Sequence, residues 1–89
     1  MNEPRPLVTV VTINFNDEAH LKETIESVLA QTWPHLEYLV VDGGSTDSSM
    51  EIIKKYEERI NRWVSEPDKG TFDAMNKAVG MARGEFINF

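Results

Sequence analysis

The sequence predicts an α/β fold: an open, doubly wound, mainly parallel sheet with flanking helices. Two observations carry this. Val8–Ile13 (VTVVTI) and Leu36–Val41 (LEYLVV) are nearly continuous apolar runs rich in β-branched residues, the pattern of strands buried on both faces. A stripe with helical spacing then follows each strand candidate, so strand and helix alternate three times before a last strand. Short connections between such units imply parallel crossovers. Open sheets of this kind bind ligands beyond the carboxyl ends of the strands, near the switch in strand order. The candidate site therefore comprises Thr12 to Asn16, Asp42 to Ser45 and Glu66 to Gly70.

Each element has its own signal. After the first strand, Asn14, Phe15, Asn16 and Asp17 break the apolar run, and Asn16 or Asp17 can cap the helix that follows. Leu21, Ile25, Val28 and Leu29 share one face of that helix. Trp33-Pro34 is expected to stop it near Gln31, because the residue before proline avoids helical geometry. Asp42-Gly43-Gly44-Ser45 reads as a turn, and Ser48 with Glu51 has capping-box spacing. The second helix carries Met50, Ile53 and Tyr56 on one face, with Ile60 as an extension. Arg62 to Ser65 (RWVS) is a short strand candidate. Phe72, Met75, Val79 and Ala82 form the third helical stripe, and Gly84 is placed to terminate that helix. Glu85 to Phe89 (EFINF) reads as a fourth strand with apolar residues on both faces. An edge of that kind invites pairing with another chain.

Bulk properties narrow the function. The chain has 89 residues, enough for one modest core but below the common domain size of roughly 100–150. Hydrophobic residues make up 40% and charged residues 27%, the balance of a folded globular chain. There is no cysteine, which excludes disulfides and thiolate metal sites. The net charge of -6 and the lack of a basic cluster argue against a nucleic-acid partner. An acidic chain that holds a phosphate needs local donors or a cation to offset repulsion. No run approaches the roughly 20 apolar residues of a membrane span. The opening MNEPRPLVTV lacks a basic region followed by a long apolar one, so no signal peptide is read and a cytoplasmic location is expected. Membrane association through further segments stays open. No repeat or linker divides the chain.

Several polar residues at the strand ends could carry chemistry. Asp42 follows an apolar strand and precedes two glycines. It could accept from a base N–H or from ribose hydroxyls, with Gly43 and Gly44 letting a ligand approach the backbone. Equally, it could bond its own loop as an Asx turn. Asp47 and Ser48 suit helix capping. The loop lacks both the G-x-G-x-x-G and the P-loop lysine patterns, which excludes those phosphate sites. Phe15 could stack on a planar base or pack beneath its loop, and Asn14 and Asn16 could simply form turns. Lys69 could meet a phosphate or be a solvated loop lysine. Asp73 and Asn76 lie one helical turn apart and share a face, although Asp73 also suits a first helical turn. His20 and His35 have no metal or catalytic spacing, and no nucleophile triad is present.

Taken in order, three segments resemble the inverting nucleotide-sugar glycosyltransferases of family 2, which have the GT-A fold. VTVVTINFND is similar to that family's opening strand and Phe-Asn loop. TIESVLAQTWPHLEYLVVDGGSTDSSMEII is similar to its S-V-L-x-Q-T-x-P and V-V-D-x-G-S-T-D stretch. SEPDKGTFDAMNKAVGMARGEFINF resembles the segment ahead of its metal motif. The resemblance covers residues 7–89 and implies a Rossmann-like N-terminal half of a GT-A fold. By this resemblance, Thr12, Ile13, Asn14, Phe15 and Asn16 line the base and ribose pocket. Asp42 contacts the uracil or ribose beside Gly43 and Gly44. The loop of Asp68, Lys69 and Gly70, with the helix bearing Asp73 and Asn76, borders the diphosphate-sugar. The sequence departs from the commonest pattern at Gly43, where many relatives carry a second aspartate that in some holds the base.

The resemblance further implies a UDP-sugar donor, a saccharide or lipid-linked acceptor and bacterial surface polysaccharide synthesis. It implies a divalent metal, Mg or Mn, bound by an Asp-x-Asp-like motif that would follow Phe89. A general base would deprotonate the acceptor hydroxyl for a single inverting displacement. Neither the metal ligands nor the base matches a residue of this chain. Residues 1–89 are thus expected to be the donor-binding part of a truncated domain and to be inactive alone. The alternatives are a non-catalytic nucleotide-binding module and a self-associating module that forms a homodimer through the fourth strand. A flavodoxin-like or receiver-like domain suits the fold but not the three ordered motifs.

Overall fold

A computed structural model describes residues 7–31, 35–84 and 86–88, with the side chains of Phe86 and Asn88 excepted. It contains β1 (Val8–Asn14), α1 (Glu18–Leu29), β2 (Leu36–Asp42), α2 (Ser49–Tyr56), β3 (Arg62–Ser65), α3 (Thr71–Met81) and β4 (Phe86–Asn88). The strands form one sheet in the order β3-β2-β1-β4, and every described pairing is parallel. The predicted doubly wound topology is therefore present. Successive units move outward from β1 to β3, and β4 then returns to the other side of β1. The switch in strand order lies at β1, beside the loop that leaves it.

The two apolar runs occupy the centre because they can be buried from both sides. β2 pairs with both β1 and β3, and every residue from Glu37 to Asp42 is buried. On one face, α1 and α2 deliver Leu21, Ile25 and Ile53 onto Tyr38 and Val40, with Ile60 closing the cluster. On the other face, α3 packs Ala74 and Ala78 against Val11, Leu39 and Val41. Burying one such branched aliphatic side chain stabilises the fold by about 1.5–3 kcal/mol. The first face therefore carries the heavier part of the core.

The structure corrects several sequence expectations. The expected α3 stripe is not the buried one: Phe72 is 84% and Val79 54% exposed, whereas Ala74 and Ala78 face the sheet. Periodicity groups residues by face but does not say which face lies down. Small side chains let α3 approach the sheet closely; Phe72 and Val79 turn outward, while Met81 packs at the edge of the cluster.

Gly84 does not terminate α3, which ends at Met81 with Ala82 already extended. Gly84 instead lies against β1. A Cβ there would collide with the Thr9 hydroxyl oxygen and sit 2.7 Å from the Leu7 carbonyl oxygen. Ser48 occupies the start of α2 without a capping side-chain bond, so the capping box does not form. Ile60 is buried, but in extended backbone after a 3-10 turn at Glu57–Arg59. α1 ends at Leu29, whose carbonyl accepts from the Arg59 guanidinium at 3.2 Å. The proposed stop at Trp33-Pro34 lies outside the described residues, as do Glu85 and Phe89 of the fourth strand. β4 pairs with β1 alone among the described strands and forms one edge of the sheet.

Candidate functional site

The parallel register places three polar residues in one row at the carboxyl ends of β1, β2 and β3. Asn14 lies opposite Asp42, and Asp42 opposite Ser65. Asp42 is fully buried. Its Oδ1 accepts from Asn14 Nδ2 at 2.8 Å and from the Ser45 hydroxyl at 2.7 Å. Its Oδ2 accepts from the Gly44 and Ser45 backbone N–H groups at 3.1 and 2.8 Å and from the Ser65 hydroxyl at 2.8 Å. Five donors fill a carboxylate that offers about four lone-pair sites. Burial is the largest single influence on this carboxyl and raises its pKa. The bonds from Ser45, Asn14 and Ser65 outweigh that influence, so the net pKa lies below the ordinary carboxylate value. Between the two sequence readings, the observed geometry is that of the loop-organising turn.

The other loops are fastened to this row. Asn14 Nδ2 also donates to the Ser49 hydroxyl at 3.0 Å. Asn16 adopts a left-handed conformation (φ 48°), which asparagine tolerates better than most residues. Its N–H donates to Ser45 Oγ at 2.8 Å, and its Oδ1 accepts from Thr46 N–H at 2.7 Å. Asp47 accepts from the N–H of Glu18 at 3.1 Å and of Ser49 at 2.9 Å. One carboxylate thus serves the first turns of both α1 and α2. The loops after β1 and β2 form one braced unit.

Above this unit opens a cleft of about 470 Å³ lined by Phe15, Gly43, Gly44, Pro67, Asp68, Gly70 and Thr71. That volume falls in the range of small-molecule sites. Phe15 is 61% exposed and offers its ring to the cleft. Gly44 has φ +85°, and a Cβ there would stand 3.1 Å from Pro67 N. The two glycines therefore let the loop after β3 lie directly on the loop after β2. A backbone bond from Glu66 N–H to the Asp42 carbonyl, 3.0 Å, holds the two together.

Of the residues singled out from sequence, Phe15, Gly43, Gly44, Asp68 and Gly70 meet in this cleft. The others lie behind or beside it. The Thr12 hydroxyl is bonded to Tyr38 Oη at 2.6 Å inside the core. Ile13 packs beside the cluster under α3. Asn14 and Asn16 are structural ties. Asp73 Oδ2 accepts from Lys69 N–H at 3.0 Å, the role of a first-turn carboxylate. The Lys69 ammonium forms no ion pair among the described residues, and Asn76 is exposed. Lys77 escaped the sequence reading. It pairs with Glu66 at 3.1 Å and donates to the Pro67 carbonyl at 3.3 Å, bracing the cleft's outer loop. Its i,i+4 spacing from Asp73 was the available signal. Thr71, one residue beyond the Glu66 to Gly70 segment, was also unforeseen as lining.

A divalent metal needs several oxygen or nitrogen ligands converging on one point. Among the described residues, no three His, Cys, Asp or Glu side chains gather as a metal site. Asp42 is saturated, and Asp68 is the one carboxylate lining the cleft. The described residues do not fit a metal ligand set, and no step through a metal is derived.

Residues 9–89 match glycosyl transferase family 2. This chain belongs to that family. The family 2 chain is 38% identical over 92 residues to TuaG of Bacillus subtilis, to which a glycosyltransferase role in teichuronic acid biosynthesis is ascribed. That match covers 100% of this chain and 36% of TuaG. In structure, it is similar to the mannosyltransferase PcManGT from Pyrobaculum calidifontis in complex with GDP-Man and Mn2+. The TM-score is 0.85 at 30% identity, covering 94% of this chain and 26% of that one. It is also similar to S. aureus TarS 1-349 in complex with UDP-GlcNAc, with a TM-score of 0.79 at 29% identity, covering 90% and 24%. The sheet and its flanking helices are thus those of a GT-A glycosyltransferase. The chain spans about a third of the length of the curated relatives it matches. Among the described residues, no helix is long and apolar enough to cross a membrane.

Proposed function

We propose that residues 1–89 supply donor-nucleotide binding to a nucleotide-sugar glycosyltransferase of family 2. The enzyme transfers a sugar with inversion to a saccharide or lipid-linked hydroxyl in the cytoplasm during bacterial surface polysaccharide synthesis. The observation that carries this reading is the cleft itself. It lies at the carboxyl ends of β1, β2 and β3, where open α/β sheets bind nucleotides. Its walls combine an exposed aromatic ring with glycine backbone and one carboxylate. Support for a nucleotide-sugar comes from the structural neighbours, which hold GDP-Man and UDP-GlcNAc. Support for a surface-polymer role comes from the teichuronic acid biosynthesis ascribed to TuaG.

NMR titration of the chain with UDP, with and without magnesium, tests this reading. Shifts centred on Phe15, Gly43, Gly44 and Asp68 to Thr71 are expected. A folded sample with no shifts at either condition would remove nucleotide binding from this chain. The purified chain is also expected to show no sugar transfer, since no residue in it has been assigned as the base.

A further inference from the structure

Position 43 carries no side chain, yet the space beside it is filled. A Cβ on Gly43 would stand 3.0 Å from Asp68 Oδ2 and 3.2 Å from Oδ1. The carboxylate of Asp68 therefore lies where a side chain at position 43 would reach, although it arrives from the loop after β3. That loop is fixed. Asp68 Oδ1 accepts from Gly70 N–H at 3.0 Å, Glu66 N–H is bonded to the Asp42 carbonyl, and Lys77 grips Glu66 and the Pro67 carbonyl. Among the described residues, Oδ2 has no hydrogen-bond donor of its own. It is the one side-chain carboxylate on a cleft wall that also presents the exposed ring of Phe15.

The chemistry of that pair restricts what can sit between them. An ionised carboxylate only accepts hydrogen bonds, and it repels a diphosphate on a chain of net charge -6. A planar group that stacks on Phe15 and offers an N–H satisfies both walls. Resting on the donor-binding reading above, we propose that Asp68 reads the imino N–H of the donor's nucleobase. The cleft then takes bases with an imino N–H, uracil or guanine, over cytosine and adenine. Cytosine and adenine present a bare ring nitrogen at the corresponding position, which would face the carboxylate lone pair to lone pair. The sequence resemblance sets the loop of Asp68 at the diphosphate-sugar; the proposal sets the Asp68 carboxylate itself at the base.

The test measures affinities of UDP, GDP, CDP and ADP for the 89-residue chain and two variants. The unaltered chain is expected to bind UDP or GDP at least about tenfold tighter than CDP and ADP, the scale of one hydrogen bond to a charged group. Which of the two binds tighter identifies the base. In Asp68→Asn the amide oxygen can keep the Gly70 N–H while the amide nitrogen replaces Oδ2, a donor in place of an acceptor. UDP or GDP should weaken about tenfold and the preference over CDP should collapse. The double change Gly43→Asp with Asp68→Gly moves the carboxylate to the facing loop. The three heavy atoms nearest a Cβ at position 43 all belong to the Asp68 carboxyl group, so removing that side chain clears the nearest obstruction and this variant should recover the preference. A folded Asp68→Asn chain with the original base order overturns the proposal and leaves the donor-binding reading intact. Failure of the unaltered chain to bind any of the four overturns both.

Discussion

The two faces of the sheet are built on different scales. Under α1 and α2 lie Leu21, Ile25, Tyr38, Val40, Ile53 and Ile60, large side chains that interlock. Under α3 the helix contributes two alanines, while Phe72 and Val79 point away from the sheet. The difference teaches that a helix can be joined to a sheet through small residues and still keep a second apolar stripe on its outer side. It also explains where the cleft opens. The loops on the first face are tied into a row by Asn14, Asp42 and Ser65. The loop leading into α3 is instead laid across them on two glycines.

This contrast can be broken by experiment. Ile53 is fully buried beneath α2, so Ile53→Ala is expected to destabilise the chain by about 2–5 kcal/mol. Urea unfolding followed by circular dichroism measures it, and a loss below about 1 kcal/mol would show that the first face is not the main core.

Acid should act on the same face with a smaller effect. The Asp42 pKa is lowered in the folded chain. Its contribution is therefore fully present above the unfolded aspartate value of about 3.9 and is lost as pH falls through the lower folded value. Urea midpoints at pH 6 and pH 3 should fall further for the unaltered chain than for Asp42→Asn, in which that titration is gone. Equal falls would mean that Asp42 does not couple to folding.

The smallest effect belongs to the outer stripe of α3. Phe72→Ser is expected to change stability by no more than about 0.5 kcal/mol, and a larger loss would place Phe72 in a contact that its 84% exposure excludes.

Much of this was legible in the residues. The β-branched runs marked β1 and β2, and the shared face of Leu21, Ile25, Val28 and Leu29 on α1 is the one that packs on the core, with Leu21 and Ile25 fully buried. The site could be placed at the strand ends because topology puts the ends of parallel strands together. The role of Asp42 was not legible, since a ligand contact and an Asx turn leave the same trace of Asp, Gly, Gly and Ser. What separates them is that Asn14 and Ser65, 28 and 23 residues away, fall into register on either side. Lys77 was passed over for the same reason. The Glu66 carboxylate and Pro67 carbonyl that define it belong to the loop after β3, not to its own helix.

By itself the sequence determined the alternation of strand and helix, the identity of the central strands and the end of the sheet that holds the cleft. These follow from the period and length of apolar runs, which are properties of neighbouring residues. Only the tertiary structure decided that α3 lies on Ala74 and Ala78, that Asp42 is spent on its own loops, and that the carboxylate beside Gly43 belongs to Asp68. Each depends on strand register or on how closely two layers approach. Those distances are set by packing between residues far apart in the chain, which no local pattern records.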